Sequence, residues 1–272
     1  MKRITLPALR RMKRKGEKIV MVTAYDFFFA RLFDEAGVEI LLVGDSLANV
    51  VQGRDTTLPV TLEEMLYHTR LVARGARRSL VVGDMPFLSY QVSPEEALRN
   101  AGRFLKEAGA RAVKLEGGVE MAPTVERLTR AGIPVMGHVG LTPQSVHQIG
   151  GYRVQGRKEK EAKRLVEGAK ALEQAGAFAV VLECTPLEVS RAVTEAVRIP
   201  TIGIGAGVHC DGQVLVMHDL LGLTEGPTAS FVKAYADLAG EARKGIAAFV
   251  REVREGIYPD AAHSFSAGKD EE

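Results

Sequence analysis

The chain has no tryptophan, few other aromatics, only two cysteines and almost no net charge. Each shortage excludes something. Cys184 and Cys210 cannot make a disulfide framework, so a reducing cytoplasm is the expected location. No apolar run reaches the ~18 residues of a membrane helix, and no hydrophobic segment backs the basic N-terminus, so neither a membrane span nor a secretory signal is expected. With 36 basic and 34 acidic residues the formal charge is +2, which gives no global attraction to nucleic acid or to an anionic membrane. Residues 1–18 are locally basic. A solvated helix leading into the first strand is the expectation there, with a nucleic-acid arm as the lesser alternative.

Several familiar devices are missing too. There is no Walker A sequence, no Ser nucleophile elbow and no zinc-ligand spacing. The stretch IGIGAG at 202–207 imitates a dinucleotide loop, but a third glycine would have to stand at Val208 or Cys210, and no helix follows closely. Its glycines suit close approach of a flat ligand to the backbone better.

What is present is a recurring figure: a short apolar strand with a polar residue just past its carboxyl end. It occurs as ILLVGDS (40–46), LVVGD (80–84), AVKLEGG (112–118), VMGHVG (135–140) and AVVLEC (179–184). Strands are expected near residues 19, 39, 80, 111, 133, 178, 200 and 214, most of them separated by helices. Thr61-Leu62-Glu63-Glu64 reads as a capping box, and Ser93-Pro94-Glu95-Glu96 as another helix start. Further helices are expected over 26–36, 121–131, 158–174 and 231–255, with Thr185 capping another. Eight alternating β and α units at a length of 272 residues favour a single (β/α)8 barrel over residues 1–272, with a basic N-terminal extension and a C-terminal helix. An open doubly wound sheet is the alternative, because the stretch between strands seven and eight is too short for a full helix.

In a parallel barrel, catalytic groups gather at the carboxyl ends of the strands. Asp45, Asp84 and Glu116 fall there. Together they would repel one another unless protonated or bound to a metal, and an all-oxygen set favours a hard cation, Mg²⁺ before Mn²⁺ or Ca²⁺. Each could instead cap the helix after its strand. Alternation puts Lys114 on the same face as Glu116, where it would bind a substrate carboxylate or enolate, or form an ion pair. Glu183 ends an apolar strand, a placement that suits a general base. His138 either binds substrate or bridges strands. Cys184 reads as a small packed residue. The long glycine-rich connection 140–155 reads as a lid or binding loop.

Many motifs in order carry a resemblance: TAYD (23–26), VGDS (43–46), TLPVT (57–61), KLEGG (114–118), GHVGLTPQS (137–145), GGYRVQG (150–156), VLEC (181–184), IGIGAG (202–207) and DGQVLVMHD (211–219). The chain closely resembles the ketopantoate hydroxymethyltransferases. That resemblance implies a TIM-type barrel of the phosphoenolpyruvate mutase and isocitrate lyase group. It implies transfer of a hydroxymethyl group from 5,10-methylenetetrahydrofolate to 3-methyl-2-oxobutanoate, through a Mg-stabilised enolate, to give 2-dehydropantoate for pantothenate biosynthesis. It also implies Mg²⁺ and a large homo-oligomer, a decamer built as a pentamer of dimers. Carried over by position, Asp45 and Asp84 are metal ligands and Glu116 the third acid at the metal. Asp45, Ser46, Asp84, Lys114 and His138 contact substrate, and Glu183 is the catalytic base. Ala48 and Asn49 depart from the family's usual Gly and bulky apolar residue, which bears on the pocket wall near strand two. The competing enzymatic reading is a Mg-dependent carbon–carbon lyase of the same barrel group; the absence of Cys from the loop 140–156 weighs against it. A ligand sensor would have no use for these strand-end ions.

Overall fold

The computed structural model describes residues 3–266. Helix α1 (Leu6–Lys15) precedes strand β1 (Ile19–Thr23), helix α2 (Phe27–Ala36), strand β2 (Ile40–Val43) and the single-turn helix α3 (Leu47–Val50). Next come α4 (Leu62–Gly75), β3 (Leu80–Asp84), α5 (Pro94–Lys106) and the short β4 (Ala112–Lys114). Helix α6 (Ala122–Arg130), β5 (Val135–Gly140), the short α7 (Val146–Ile149), α8 (Glu159–Gln174), β6 (Ala179–Glu183) and α9 (Leu187–Ala196) follow. The series ends with β7 (Thr201–Ile204), β8 (Gly212–Leu215), α10 (Met217–Leu220) and α11 (Leu238–Arg254).

The eight strands are parallel and close in chain order, β1 pairing with β8. Closure decides between the two folds the sequence allowed: this is a barrel, not an open sheet. Between β7 and β8 there is no helix, as the short spacing required.

Helix ends follow their local chemistry. The Thr61 hydroxyl accepts from the Glu64 amide while the Glu64 carboxylate accepts from the Thr61 amide, so the capping box is complete. Ser93 caps α5 with Pro94 in its first turn. Thr185 does not cap α9. Pro186 stands at the N-cap position with no side-chain cap, and the Thr185 hydroxyl instead pairs with Ser190 at 2.7 Å. Glycine is needed at Gly83, where a Cβ would lie 2.3 Å from the Phe104 ring of α5.

The barrel interior follows from the pleat. Side chains two apart on a strand share a face. Ile19 and Met21, Ile40 and Leu42, Leu80 and Val82, Ala179 and Val181 are all buried in one apolar core. Continuing the same faces one step further brings Thr23, Asp84, Lys114, His138 and Glu183 to the carboxyl end. The interior is thus apolar below and ionic above.

The N-terminal helix leads into β1 with its basic outer face solvated, as expected, but its other edge is packed into the barrel. Thr5 caps its start and Gly16 its end, and Leu9 is fully buried among Ile19, Met21, Ile40, Leu80 and Ala112. The basic residue Lys13 turns inward to Asp211 at 2.9 Å and to the carbonyls of Thr194 and Ile199. α1 therefore stoppers the amino end of the barrel.

The barrel unit ends at Met217, and a second compact unit begins at His218. Its helix α11 starts at Leu238, capped by the Asp237 carboxylate on the Gly240 amide, rather than near residue 231. No helix among the described residues is long and apolar enough to cross a membrane.

Candidate active site

A chamber of about 180 Å³ lies at the carboxyl end of the strands. Asp45, Ser46, Asp84, Lys114, Glu116, His138 and Glu183 all line it. Every site residue singled out from the sequence is therefore in one cavity, delivered by five different strands. Register explains part of this. β3 and β4 pair Asp84 with Lys114, and β5 and β6 pair Gly140 with Glu183.

Lys114 is buried and donates to both oxygens of Asp84, at 2.8 and 2.7 Å. The Asp45 amide also donates to Asp84, at 3.2 Å. The ion pair that was one of two options for Lys114, with Glu116 or with an Asp as its partner, is thus present, and the partner is Asp84. Ser46 shares a hydrogen bond of 2.9 Å with the Tyr25 hydroxyl. The His138 ring stands between two acids, with Nδ1 3.4 Å from Glu116 and Nε2 3.3 Å from Glu183. It binds acids across the site and thereby bridges β4 and β6. These are ion contacts and not aligned hydrogen bonds. Glu116 Oε1 and both ring nitrogens are buried with no hydrogen-bond partner.

The charges do not balance. Four carboxylates (Asp45, Asp84, Glu116, Glu183) face two cations (Lys114, His138). Burial pushes the Asp84 carboxyl up to about 7; Lys114 opposes this, and the neighbouring Asp45 and Glu116 add to it. Burial, with Asp45 adding to it, also raises Glu116; His138 and Lys114 oppose. For His138, burial and Lys114 work against the charged form, but Glu116 and Glu183 prevail and raise it to about 9. For Lys114 burial disfavours the ammonium, yet Asp84, Asp45 and Glu116 hold it charged.

Such an excess of buried negative charge fits a divalent cation, as does the all-oxygen donor set and the unpartnered Glu116 Oε1. Among the described residues no three His, Cys, Asp or Glu side chains form a preformed metal cluster. Both Asp84 oxygens are engaged by Lys114, so a cation at Asp45 and Asp84 would share Asp84 with that ammonium.

Four residues were not anticipated. Gln144, in the connection after β5, is buried and uses both side-chain polar atoms and its amide. Its Nε2 donates to Asp45 Oδ2 and to the Met85 carbonyl, both at 3.0 Å, and its amide donates to Glu116 Oε2 at 3.0 Å. Its Oε1 accepts from the Tyr90 hydroxyl at 2.7 Å and from Gln91 at 3.2 Å. Tyr90 in turn accepts from the Glu116 amide at 3.1 Å. Tyr25 holds Ser46, and Tyr152 of the long loop closes part of the chamber wall. A Gln within LTPQ or a Tyr in a turn carries no chemical signature in sequence, so only the assembled loops reveal them.

Two local features support Glu183. Gly140 has φ +102°, and a Cβ there would lie 2.2 Å from the Glu183 carbonyl oxygen. The Leu141 amide donates to that same carbonyl at 2.8 Å. Cys184 turns through a left-handed φ of 48°, and burial followed by Glu183 raises its thiol to about 11. It is therefore a poor nucleophile, consistent with its reading as a packing residue. Asn49 lines the chamber beside Asp45, so the departure at this position does face the pocket.

Known proteins share this fold. Solved structures of phosphonopyruvate hydrolase (TM-score 0.61, 14% identity, 98% of this chain and 92% of that one) and of phosphoenolpyruvate phosphomutase from Streptomyces platensis subsp. rosaceus (0.60, 15%, 96% and 92%) share the fold. So does 2,3-dimethylmalate lyase, a member of the phosphoenolpyruvate mutase/isocitrate lyase superfamily (TM-score 0.59, 20% identity, 95% and 91%). At full-sequence level the chain is 58% identical to the 3-methyl-2-oxobutanoate hydroxymethyltransferase of Syntrophus aciditrophicus, over 97% of each chain. It is also 58% identical to that of Carboxydothermus hydrogenoformans, over 98% of this chain and 96% of the other. The family model for ketopantoate hydroxymethyltransferase matches residues 3–261, and the chain belongs to that family.

Proposed function

We propose that this chain transfers a hydroxymethyl group from 5,10-methylenetetrahydrofolate to 3-methyl-2-oxobutanoate, forming 2-dehydropantoate for pantothenate biosynthesis. The observation that carries the reading is one small chamber holding Asp45, Asp84, Lys114, Glu116, His138 and Glu183 together. Its volume suits a short oxo acid, and family membership supports the reaction.

Asp45 and Asp84 would hold Mg²⁺, with Glu116 the third acid beside it. When bound, the ion supplies Lewis acidity to the carbonyl of a 2-oxo acid. The chain's own residues do the rest. Lys114 and Ser46 fix the carboxylate end of the substrate. Glu183, at the chamber wall, takes the proton from C3. His138, held between Glu116 and Glu183, keeps that acid in place. The electron pair left on C3 forms a bond to the donor's methylene carbon. Overall that carbon exchanges its two C–N bonds for one C–C and one C–O bond, the hydroxyl coming from water. The two nitrogens receive the proton from C3 and one from water. The loop 140–156 limits access of bulk water to C3.

The test is deuterium uptake at C3 of 3-methyl-2-oxobutanoate in D₂O with Mg²⁺ and no folate. Exchange is expected in the wild type, absent with EDTA, and restored by added Mg²⁺. Exchange by Glu183→Gln at the wild-type rate would refute the base assignment. The same reading places the protein in the cytoplasm as a homo-oligomer, a decamer on the family pattern, without nucleic-acid or membrane partners. Light scattering would show a monomer if the assembly is wrong.

A further inference from the structure

Three serine and threonine side chains line the active-site chamber: Thr23, Ser46 and Thr57. Two of their hydroxyls have protein partners. Thr23 accepts from the Met217 amide at 2.8 Å, and Ser46 pairs with Tyr25 at 2.9 Å. Thr57 has none among the described residues. It is 3% exposed, and its Oγ1 is buried without a hydrogen-bond partner. A buried hydroxyl left unpaired costs free energy, and a valine of the same shape would avoid that cost. The segment around it is pinned. The Thr57 carbonyl accepts from the Val60 amide at 3.4 Å, Val60 is buried, and the Thr61 capping box fixes the start of α4.

The oxo acid itself leaves this hydroxyl unused. Its oxygens are met by the cation site at Asp45 and Asp84, by Lys114 and by Ser46. The product carries one oxygen more, the hydroxyl of the new hydroxymethyl group, and that oxygen enters as water. Water and alcohol both need a partner that donates and accepts. A threonine hydroxyl does both, whereas a carboxylate only accepts and an ammonium only donates. The other unpartnered polar atoms of the chamber are Glu116 Oε1 and the two His138 ring nitrogens. These are already set against opposite charge, His138 Nδ1 3.4 Å from Glu116 and Nε2 3.3 Å from Glu183. In a chamber of about 180 Å³ a bound product lies close to every wall, Thr57 included.

We propose that the Thr57 hydroxyl holds the oxygen that becomes the product's hydroxyl, first as water and then as the alcohol. The oxygen of that water forms the C–O bond to the methylene carbon as a C–N bond breaks. One hydrogen stays on the alcohol and the other goes to the departing nitrogen. The assignment rests on the hydroxymethyl-transfer reading above and adds to it a residue that acts only after the enolate has formed.

Thr57→Val removes the hydroxyl and keeps the shape, and Thr57→Ser keeps the hydroxyl. Three quantities are measured on full-length protein: donor-free deuterium exchange at C3 of the oxo acid with Mg²⁺, the KM for 2-dehydropantoate in the reverse reaction with tetrahydrofolate, and the thermal midpoint in EDTA. In Thr57→Val, exchange should stay within about twofold of wild type, while the KM for 2-dehydropantoate rises about tenfold, the loss expected for one hydrogen bond to a ligand. Its midpoint should equal or exceed that of the wild type, because no buried hydroxyl is left unpaired. Thr57→Ser should keep the KM within about threefold of wild type. An unchanged KM in Thr57→Val overturns the proposal. So does exchange that falls in step with that loss, because the hydroxyl would then serve the oxo acid. A lowered midpoint or a failure to fold also overturns it, by showing that the hydroxyl is structural. Absence of exchange in the wild type would instead bring down the underlying reaction, so the two failures are distinguishable.

Discussion

The ammonium of Lys114 lies 2.8 and 2.7 Å from the two carboxylate oxygens of Asp84, and both side chains are buried. Neighbouring strands pair these two residues in register. The pair is the electrostatic centre of the chamber, because Asp45 and Glu116 act on both partners.

Lys114→Met should therefore abolish activity and also destabilise the fold. Removing one partner of a buried ion pair costs about 3–5 kcal/mol. The double variant Lys114→Met with Asp84→Asn should recover part of that loss, since no uncompensated charge remains. Urea unfolding of the two variants and the wild type measures it; equal stabilities would contradict the burial argument.

His138 predicts a pH dependence. The folded state raises its pKa from the ordinary 6.5 to about 9, so the folded state binds the proton more tightly than the unfolded chain. The resulting stabilisation is complete below 6.5 and disappears as pH rises through about 9. In EDTA, the wild type should lose unfolding free energy between those values, and His138→Gln should lose much less over the same window. Parallel pH profiles would show that the imidazolium contributes nothing.

Gln144→Leu should weaken the site without unfolding the barrel. It leaves Asp45 Oδ2, the Met85 carbonyl and the Tyr90 hydroxyl short of a partner, at a cost of about 1–3 kcal/mol for buried polar groups left unsatisfied. The KM for the oxo acid should rise by about tenfold. Gln144→Glu should not rescue it, because it puts a fifth carboxylate against Asp45. Wild-type KM in either variant would show that Gln144 does not position the acids.

Leu9→Ala tests the stopper at the other end of the barrel. Truncating a fully buried leucine should cost about 2–5 kcal/mol. The effect should appear in the denaturation midpoint with kcat preserved. A change confined to kcat would mean that α1 communicates with the site instead of closing the core.

Much of the site is legible along the chain because alternation in a strand is strict. Once Val82, Ala112, Met136 and Val181 are assigned to the core, Asp84, Lys114, His138 and Glu183 must follow on the same face. The partner of Lys114 was not legible, since register between strands decides whether it meets Asp84 or Glu116. Gln144 was hidden for another reason. Its role comes from a loop folding back over three strand ends, and loop sequences have no period to read. The basic stretch at the N-terminus concealed Leu9, whose burial depends on an open barrel end to receive it. The start of α11 was misplaced by several residues, because the apolar residues from 231 onward do not declare where helical hydrogen bonding begins.

The order of strands and helices, the apolar interior and the identity of the ionisable strand-end residues were determined by the sequence alone, through periodicity, capping and composition. Closure of the sheet, the Asp84–Lys114 pairing, the acid–His138–acid contact and the chamber that gathers them were decided only by tertiary structure. Those features depend on distances between segments remote in the chain, which local propensities do not encode.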